Sequence, residues 1–122
     1  MKTVTILFVD DDSRVLELLK RYLHEEKYDI LTATNGNDGI ETARTRTPDI
    51  IFCDILMPEL DGFGVLGALQ NDDTTKTIPF YFLTSKIQTE DILLGITAGA
   101  TGYLAKPTSR QQLLDTLQEN GY

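Results

Sequence analysis

Ile50-Ile51-Phe52-Cys53-Asp54-Ile55-Leu56-Met57-Pro58 is the stretch on which the fold of this chain turns. Four apolar residues make a run suited to a strand buried on both faces of a sheet, and the run stops on a carboxylate, Asp54. A central strand does not tolerate proline, so Pro58 places Asp54 at a strand's carboxyl end. Open parallel α/β sheets bind their ligands at that end. A carboxylate there calls for a chemical reason.

On the N-terminal side, Val4–Val9 reads as a first buried strand, and Asp10-Asp11-Asp12-Ser13 supplies turn and N-cap chemistry. Val15, Leu18, Leu19, Tyr22 and Leu23 recur at helical spacing and predict one apolar stripe, with Arg14, Glu17, Lys20 and Arg21 opposite. A second strand is expected over 30–34, a helix over about 38–45, and the central strand over 49–53 after Pro48. Between them, Asn35-Gly36-Asn37-Asp38-Gly39 both turns the chain and caps the helix, whose apolar pattern is the weakest in the sequence.

Beyond Pro58, a glycine-rich helix through about Gln70 carries Phe63, Leu66 and Leu69, and Pro79 opens a fourth strand over 80–83. A helix from about Gln88 has Glu90 and Asp91 near its positive end. Gly102–Ala105 is a fifth strand, and Ser109-Arg110-Gln111-Gln112 has capping-box spacing for a last helix with Leu113, Leu114 and Leu117. Five β units alternating with five α units predict an α/β domain, a parallel sheet with helices on both faces and right-handed crossovers. A single domain over residues 1–122 is expected, with no linker or repeat.

Composition narrows the function classes. A formal net charge of −8, with 11 Lys and Arg against 19 Asp and Glu, argues against direct nucleic-acid binding, which needs a basic footprint. No apolar stretch approaches the roughly 18 residues of a membrane span, and the N-terminus lacks a signal-peptide layout, so a cytoplasmic protein without membrane attachment is expected. The single cysteine, Cys53, reads as a small buried hydrophobe, and the single histidine, His24, as a solvated surface residue.

Residues just after the strands carry the chemistry. Strand one supplies Asp10 and Asp11, strand three Asp54, strand four Thr84 and Ser85, and strand five Lys106. In a parallel sheet these ends share one edge, so three carboxylates, a hydroxyl and an ammonium converge. Clustered carboxylates repel by about 4 kcal/mol per pair at 4 Å with an effective dielectric of 20, and such a set wants a cation. Oxygen-only ligands suit Mg2+, and a carboxylate beside Mg2+ can attack a phosphoryl group and form an aspartyl phosphate. Lys106 and Thr84 could hold the phosphoryl oxygens as charge redistributes. Phosphoryl transfer is the reaction class this set implies.

The sequence resembles the receiver domain of bacterial response regulators across its whole length. The resemblance rests on Phe8-Val9-Asp10-Asp11, Asp54-Ile55-Leu56-Met57-Pro58 with Asp61-Gly62, Leu83-Thr84-Ser85, and Tyr103-Leu104-Ala105-Lys106-Pro107. It implies a five-stranded sheet of order 2-1-3-4-5. It also implies that Asp54 accepts a phosphoryl group from a sensor histidine kinase or histidine phosphotransfer protein, the domain catalysing only its own phosphorylation and dephosphorylation. Asp11, Asp54 and the Leu56 backbone carbonyl would bind Mg2+ directly and Asp10 through water. Lys106 would pair with the phosphoryl group, and Thr84 and Tyr103 would switch together, carrying the event to the face of the fourth helix, fifth strand and fifth helix for a downstream effector. A cis peptide before Pro107 is a further expectation.

Some residues depart from the family pattern. Thr101 and Gly102 stand where DNA-binding members carry acidic residues used in dimerisation, which leaves at most a weak homodimer through that face. Thr108 replaces a common aromatic. Leu56 and Lys86 occupy positions that influence phosphate lifetime, and bulky Leu56 is expected to impede the hydrolytic water.

Rival readings make different demands. Gly62-Phe63-Gly64-Val65-Leu66-Gly67 matches a dinucleotide fingerprint but starts eight residues past Asp54 instead of directly after a strand. Flavin binding would set a phosphate against Asp10, Asp11 and Asp12, which repel it. A haloacid-dehalogenase-like phosphatase would use Asp10 as nucleophile, but Arg14 stands where Thr or Val is usual. A phosphate-independent interaction module would share the fold without using the acidic set.

Overall fold

A computed structural model describes residues 3–25, 27–85 and 89–122, the side chains of 89–92 excepted. The elements run β1 (Val4–Val9), α1 (Ser13–Tyr22), β2 (Tyr28–Ala33), α2 (Gly36–Arg46), β3 (Ile50–Asp54), α3 (Gly62–Gln70), β4 (Phe80–Thr84), α4 (Thr89–Thr97), β5 (Gly102–Ala105) and α5 (Arg110–Glu119). The five strands are parallel, in the order β2-β1-β3-β4-β5. β1 and β3 lie inside the sheet, and β3 is buried at every residue because helices cover both faces.

Two apolar layers flank the sheet. On one face Ile6, Phe8, Ile50, Phe52 and Leu83 meet Leu16, Leu19 and Leu23 from the α1 segment and Leu113 and Leu117 from α5. On the other, Leu7, Val9, Ile51, Cys53 and Phe82 meet Ile40 and Ala43 of α2 and Val65, Leu66 and Leu69 of α3. Alternate residues of one strand thus serve opposite layers, as the two-residue period of a strand dictates.

Local chemistry sets the boundaries, with some differences from the sequence expectations. α1 is capped by Asp12, and its core stripe is Leu16, Leu19 and Leu23, while Leu18 is 40% exposed. The expected stripe through Leu18 is therefore rotated by part of a turn. β2 starts two residues earlier than expected, because Tyr28 is buried and pairs in register with Val4. In β3 Asp49 lies outside the strand, its carboxylate accepting from the Thr5 amide at 2.8 Å, and Asp54 is the last strand residue. β4 likewise extends to Thr84.

α2 is longer than its weak pattern suggested, since Asn35 caps it and the buried Gly36 and Gly39 bring it close against Leu60 and Val9. α5 carries the expected capping box between Ser109 and Gln112. The expected α4 start at Gln88 lies outside the described residues, as do the side chains of Glu90 and Asp91.

Two glycines of α3 make opposite predictions. A Cβ on Gly62 would fall on the Asp54 carbonyl oxygen and 2.9 Å from Ile55 Cα, whereas one on Gly67 would meet nothing. In urea unfolding, Gly67→Ala is expected to stabilise by about 1 kcal/mol through helix propensity. Gly62→Ala is expected to destabilise by about 1–3 kcal/mol through overpacking against backbone that cannot yield.

Candidate functional site

The four strand ends deliver their side chains to one edge of the sheet. Asp10 follows β1 and is fully buried, Asp54 closes β3 at 7% exposure, and Asp11 is exposed. Their carboxylate oxygens lie within 4.8 Å of one another. Lys106, directly after β5, reaches back across β4 with its ammonium 2.5 Å from Asp10 Oδ2 and 3.3 Å from Asp54 Oδ2. Thr84, buried at the end of β4, sits in register with Ala105, and its carbonyl accepts from the Lys106 amide at 2.9 Å.

Electrostatics are set by this crowding. Burial pushes the Asp54 carboxyl above the ordinary carboxylate range and Asp10 pushes it further, with Lys106 opposing. Burial works against the Lys106 charge, but the Asp10 and Asp54 carboxylates outweigh it, and the net shift is upward. One ammonium against three carboxylates leaves an excess of negative charge. Asp10 Oδ1 accepts from the Asp12 amide at 2.9 Å, and its buried Oδ2 is held by the Lys106 ammonium.

Hard oxygen donors and surplus negative charge fit a hard divalent cation such as Mg2+. Asp10, Asp11 and Asp54 could hold it. Leu56 stands two residues beyond Asp54 with its side chain 60% exposed, and the loop there is closed by the Gly62 amide donating to the Ile55 carbonyl at 2.9 Å.

The expected carboxylates of Asp10, Asp11 and Asp54 and the ammonium of Lys106 meet at one edge. Tyr103 lies in register with Phe82 and is 42% exposed, and Leu93, Leu94 and Ile96 of α4 are exposed as well. The Lys106-Pro107 peptide is cis. Lys86 lies outside the described residues. Cys53 is fully buried, its thiol pushed well up by burial, and His24 is exposed. Thr101 has a structural task, since its hydroxyl accepts from the Phe80 amide at 3.1 Å at the start of β4. Sequence reasoning missed that Lys106 stands closer to Asp10 than to Asp54. No sequence signal carries that order, because both carboxylates follow adjacent strands.

The family model for the response regulator receiver domain matches residues 6–118. The chain belongs to this family. Among its relatives, Protein PilH of Pseudomonas aeruginosa is 38% identical over 112 residues, which cover 92% of this chain and 93% of PilH. The alkaline phosphatase synthesis transcriptional regulatory protein PhoP of Bacillus subtilis is 35% identical over 108 residues, 88% of this chain and 44% of PhoP. The receiver thus spans nearly all of the first relative and less than half of the second. The chemotaxis protein CheY4 of Vibrio cholerae has a similar structure, with a TM-score of 0.90 and 31% identity over 96% of this chain and 98% of that one. The receiver domain of sensor histidine kinase PA1611 from Pseudomonas aeruginosa, solved with a magnesium ion in its active-site cleft, gives 0.88 and 26% identity over 98% and 99%. As a receiver, this domain is a phospho-accepting switch of two-component signalling, a class that works with histidine kinases and effectors.

Proposed function

We propose that residues 1–122 act as one receiver whose phosphoryl acceptor is Asp54. The observation that carries this reading is the buried Asp54 carboxylate held beside Asp10, Asp11 and the Lys106 ammonium at one sheet edge. The donor is a sensor histidine kinase or histidine phosphotransfer protein. Asp11, Asp54 and the Leu56 carbonyl would hold Mg2+ directly and Asp10 through water, the ion supplying charge neutralisation when bound. An Asp54 oxygen forms the new bond to phosphorus as the bond to the donor's leaving atom breaks, and Lys106, already 3.3 Å from Asp54, holds a phosphoryl oxygen.

Thr84 then turns toward the phosphoryl group, and Tyr103 follows it. The face of α4, β5 and α5 is thereby offered to an effector, with a weak homodimer as the self-association it permits. Such a switch operates by favouring one of two pre-existing arrangements. Apart from its own phosphorylation and dephosphorylation, the domain turns over no substrate, and it works in the cytoplasm. No helix among the described residues is long and apolar enough to cross a membrane.

The test is intact mass and peptide mapping after incubation with acetyl phosphate, with and without Mg2+. A Mg2+-dependent gain of one phosphoryl group mapped to Asp54 is the expected result. A gain mapped to Asp10 would favour the phosphatase chemistry, and no gain from small donors or kinases would favour a phosphate-independent module. Lifetime is a separate prediction. With bulky, exposed Leu56 taken to impede the hydrolytic water, Leu56→Asn is expected to shorten the phosphorylated half-life about tenfold, one order of magnitude being about 1.4 kcal/mol in the barrier. A half-life unchanged by the substitution would remove Leu56 from that role.

A further inference from the structure

The loop from Ile55 to Asp61 joins β3 to α3 through a turn that side chains resist. Glu59 stands at φ +68°, in the left-handed region, and the Leu60 amide donates to the Pro58 carbonyl at 2.8 Å, closing a tight turn around it. A non-glycine residue stays in that conformation only where its surroundings over-determine it. Here the surroundings are two helices. Leu60 is half-buried and packs against the core layer that α2 and α3 share. A Cβ on Gly36, at the start of α2, would stand 2.8 Å from the Leu60 carbonyl oxygen and 3.0 Å from Leu60 Cβ, and one on Gly64 of α3 would fall on Leu60 Cδ1. Leu60 is thus seated in the gaps that two glycines leave. Elsewhere in the loop the Gly62 amide donates to the Ile55 carbonyl at 2.9 Å, and Met57 is buried. Leu56 lies between these fixings with its own side chain exposed, so its neighbours set where its carbonyl stands.

We infer that Leu60 is a positioning residue for the metal: seated between Gly36 and Gly64, it keeps the turn at Glu59 closed and thereby fixes the Leu56 carbonyl as a Mg2+ ligand. The inference rests on the Mg2+ reading of the acidic edge given above. The apolar side chain of Leu60 cannot bind a cation and acts only through the backbone it holds. Without its seat, Glu59 relaxes to negative φ, the hydrogen bond from Leu60 to Pro58 opens, and the Leu56 peptide just before the turn is free to rotate. Asp10, Asp11 and Asp54 stand at strand ends and do not depend on the turn. The loss therefore falls on one ligand.

The experiment is calorimetric titration with Mg2+ alone, beside the phosphorylation rate from acetyl phosphate at saturating Mg2+. Leu60→Ala is expected to raise the Mg2+ Kd about tenfold, as loss of a group that orients a metal ligand does, and to leave the saturated rate within about twofold of the parent's. Leu60→Met, which refills the seat, is expected to keep the parent's Kd. Glu59→Gly placed in the Leu60→Ala protein removes the resistance to the turn and is expected to recover most of the lost affinity, which a general loosening of the fold would not allow. Gly36→Ala displaces Leu60 from the α2 side with the leucine intact and is expected to weaken Mg2+ binding in the same way. It decides the matter if Leu60→Ala does not fold. A Kd unchanged in the folded Leu60→Ala or Gly36→Ala protein, or a loss that Glu59→Gly does not reverse, overturns the positioning role and leaves the Mg2+ reading standing. A parent that takes up no Mg2+ overturns both.

Discussion

Asp54→Asn is expected to abolish the Mg2+-dependent phosphoryl gain and, in the same protein, to raise stability by about 1 kcal/mol at neutral pH. The first effect follows from losing the nucleophilic oxygen. The second follows from what that oxygen costs the fold. Asp54 is buried beside Asp10, and a like-charge pair at 4 Å and an effective dielectric of 20 repels by about 4 kcal/mol, much of it offset here by Lys106. Asn keeps the shape and removes the charge, while Lys106 retains its closer partner, Asp10.

The pH dependence has a definite sign. The Asp54 carboxyl is raised above its unfolded value, chiefly by burial, so the folded state binds the proton more tightly. Stability contributed by this group is then lost as pH rises from the ordinary carboxylate value through the raised one. The advantage of Asn is complete at neutral pH and shrinks as the medium is acidified through that interval. Urea unfolding of both proteins at neutral and acid pH checks this. An Asn variant that is less stable at neutral pH would show that Asp54 is a net stabilising charge.

Lys106→Met is expected to be costly in both respects, destabilising the metal-free domain by about 2–4 kcal/mol and slowing phosphoryl uptake on the order of 100-fold. Asp10 is fully buried, and Lys106 is the cation that holds its Oδ2. Methionine fills similar volume without charge and leaves that carboxylate buried and uncompensated. The lower end of the range applies because Lys106 keeps 18% of its side chain in contact with solvent, which screens the pair. Removing the ammonium makes the cluster more negative, so Mg2+ should raise the melting temperature of the variant by more than it raises the parent's. Equal Mg2+ shifts in the two proteins would contradict this account of the site's charge.

Much of this was readable in the sequence because the site is built from strand ends. An apolar run that stops on Asp54, Asp10 or Thr84 marks both a buried strand and the residue it presents, so fold and site were signalled by the same residues. The helices were less legible. α2 shows only Ile40 and Ala43 as buried apolar side chains and seats itself through Gly36 and Gly39, whose contribution is closeness of approach and leaves no hydrophobic pattern. In α1, Leu16 and Leu18 are the same residue type two positions apart, and only the three-dimensional placement of the helix decides which is buried. A cavity between α1 and the loop joining β5 to α5 depends on that same choice and on Thr108, ninety positions beyond Leu18, which no local pattern connects.

The exposed Leu93, Leu94, Ile96 and Tyr103 belong to the longest run in the chain free of Asp, Glu, Lys and Arg, residues 92–105. Two copies meeting through this face would press leucines together between chains that each carry a formal net charge of −8. Added salt weakens the repulsion between the copies and leaves the apolar contact intact. Self-association there would tighten as ionic strength rises, the opposite of what an ion-paired contact would do.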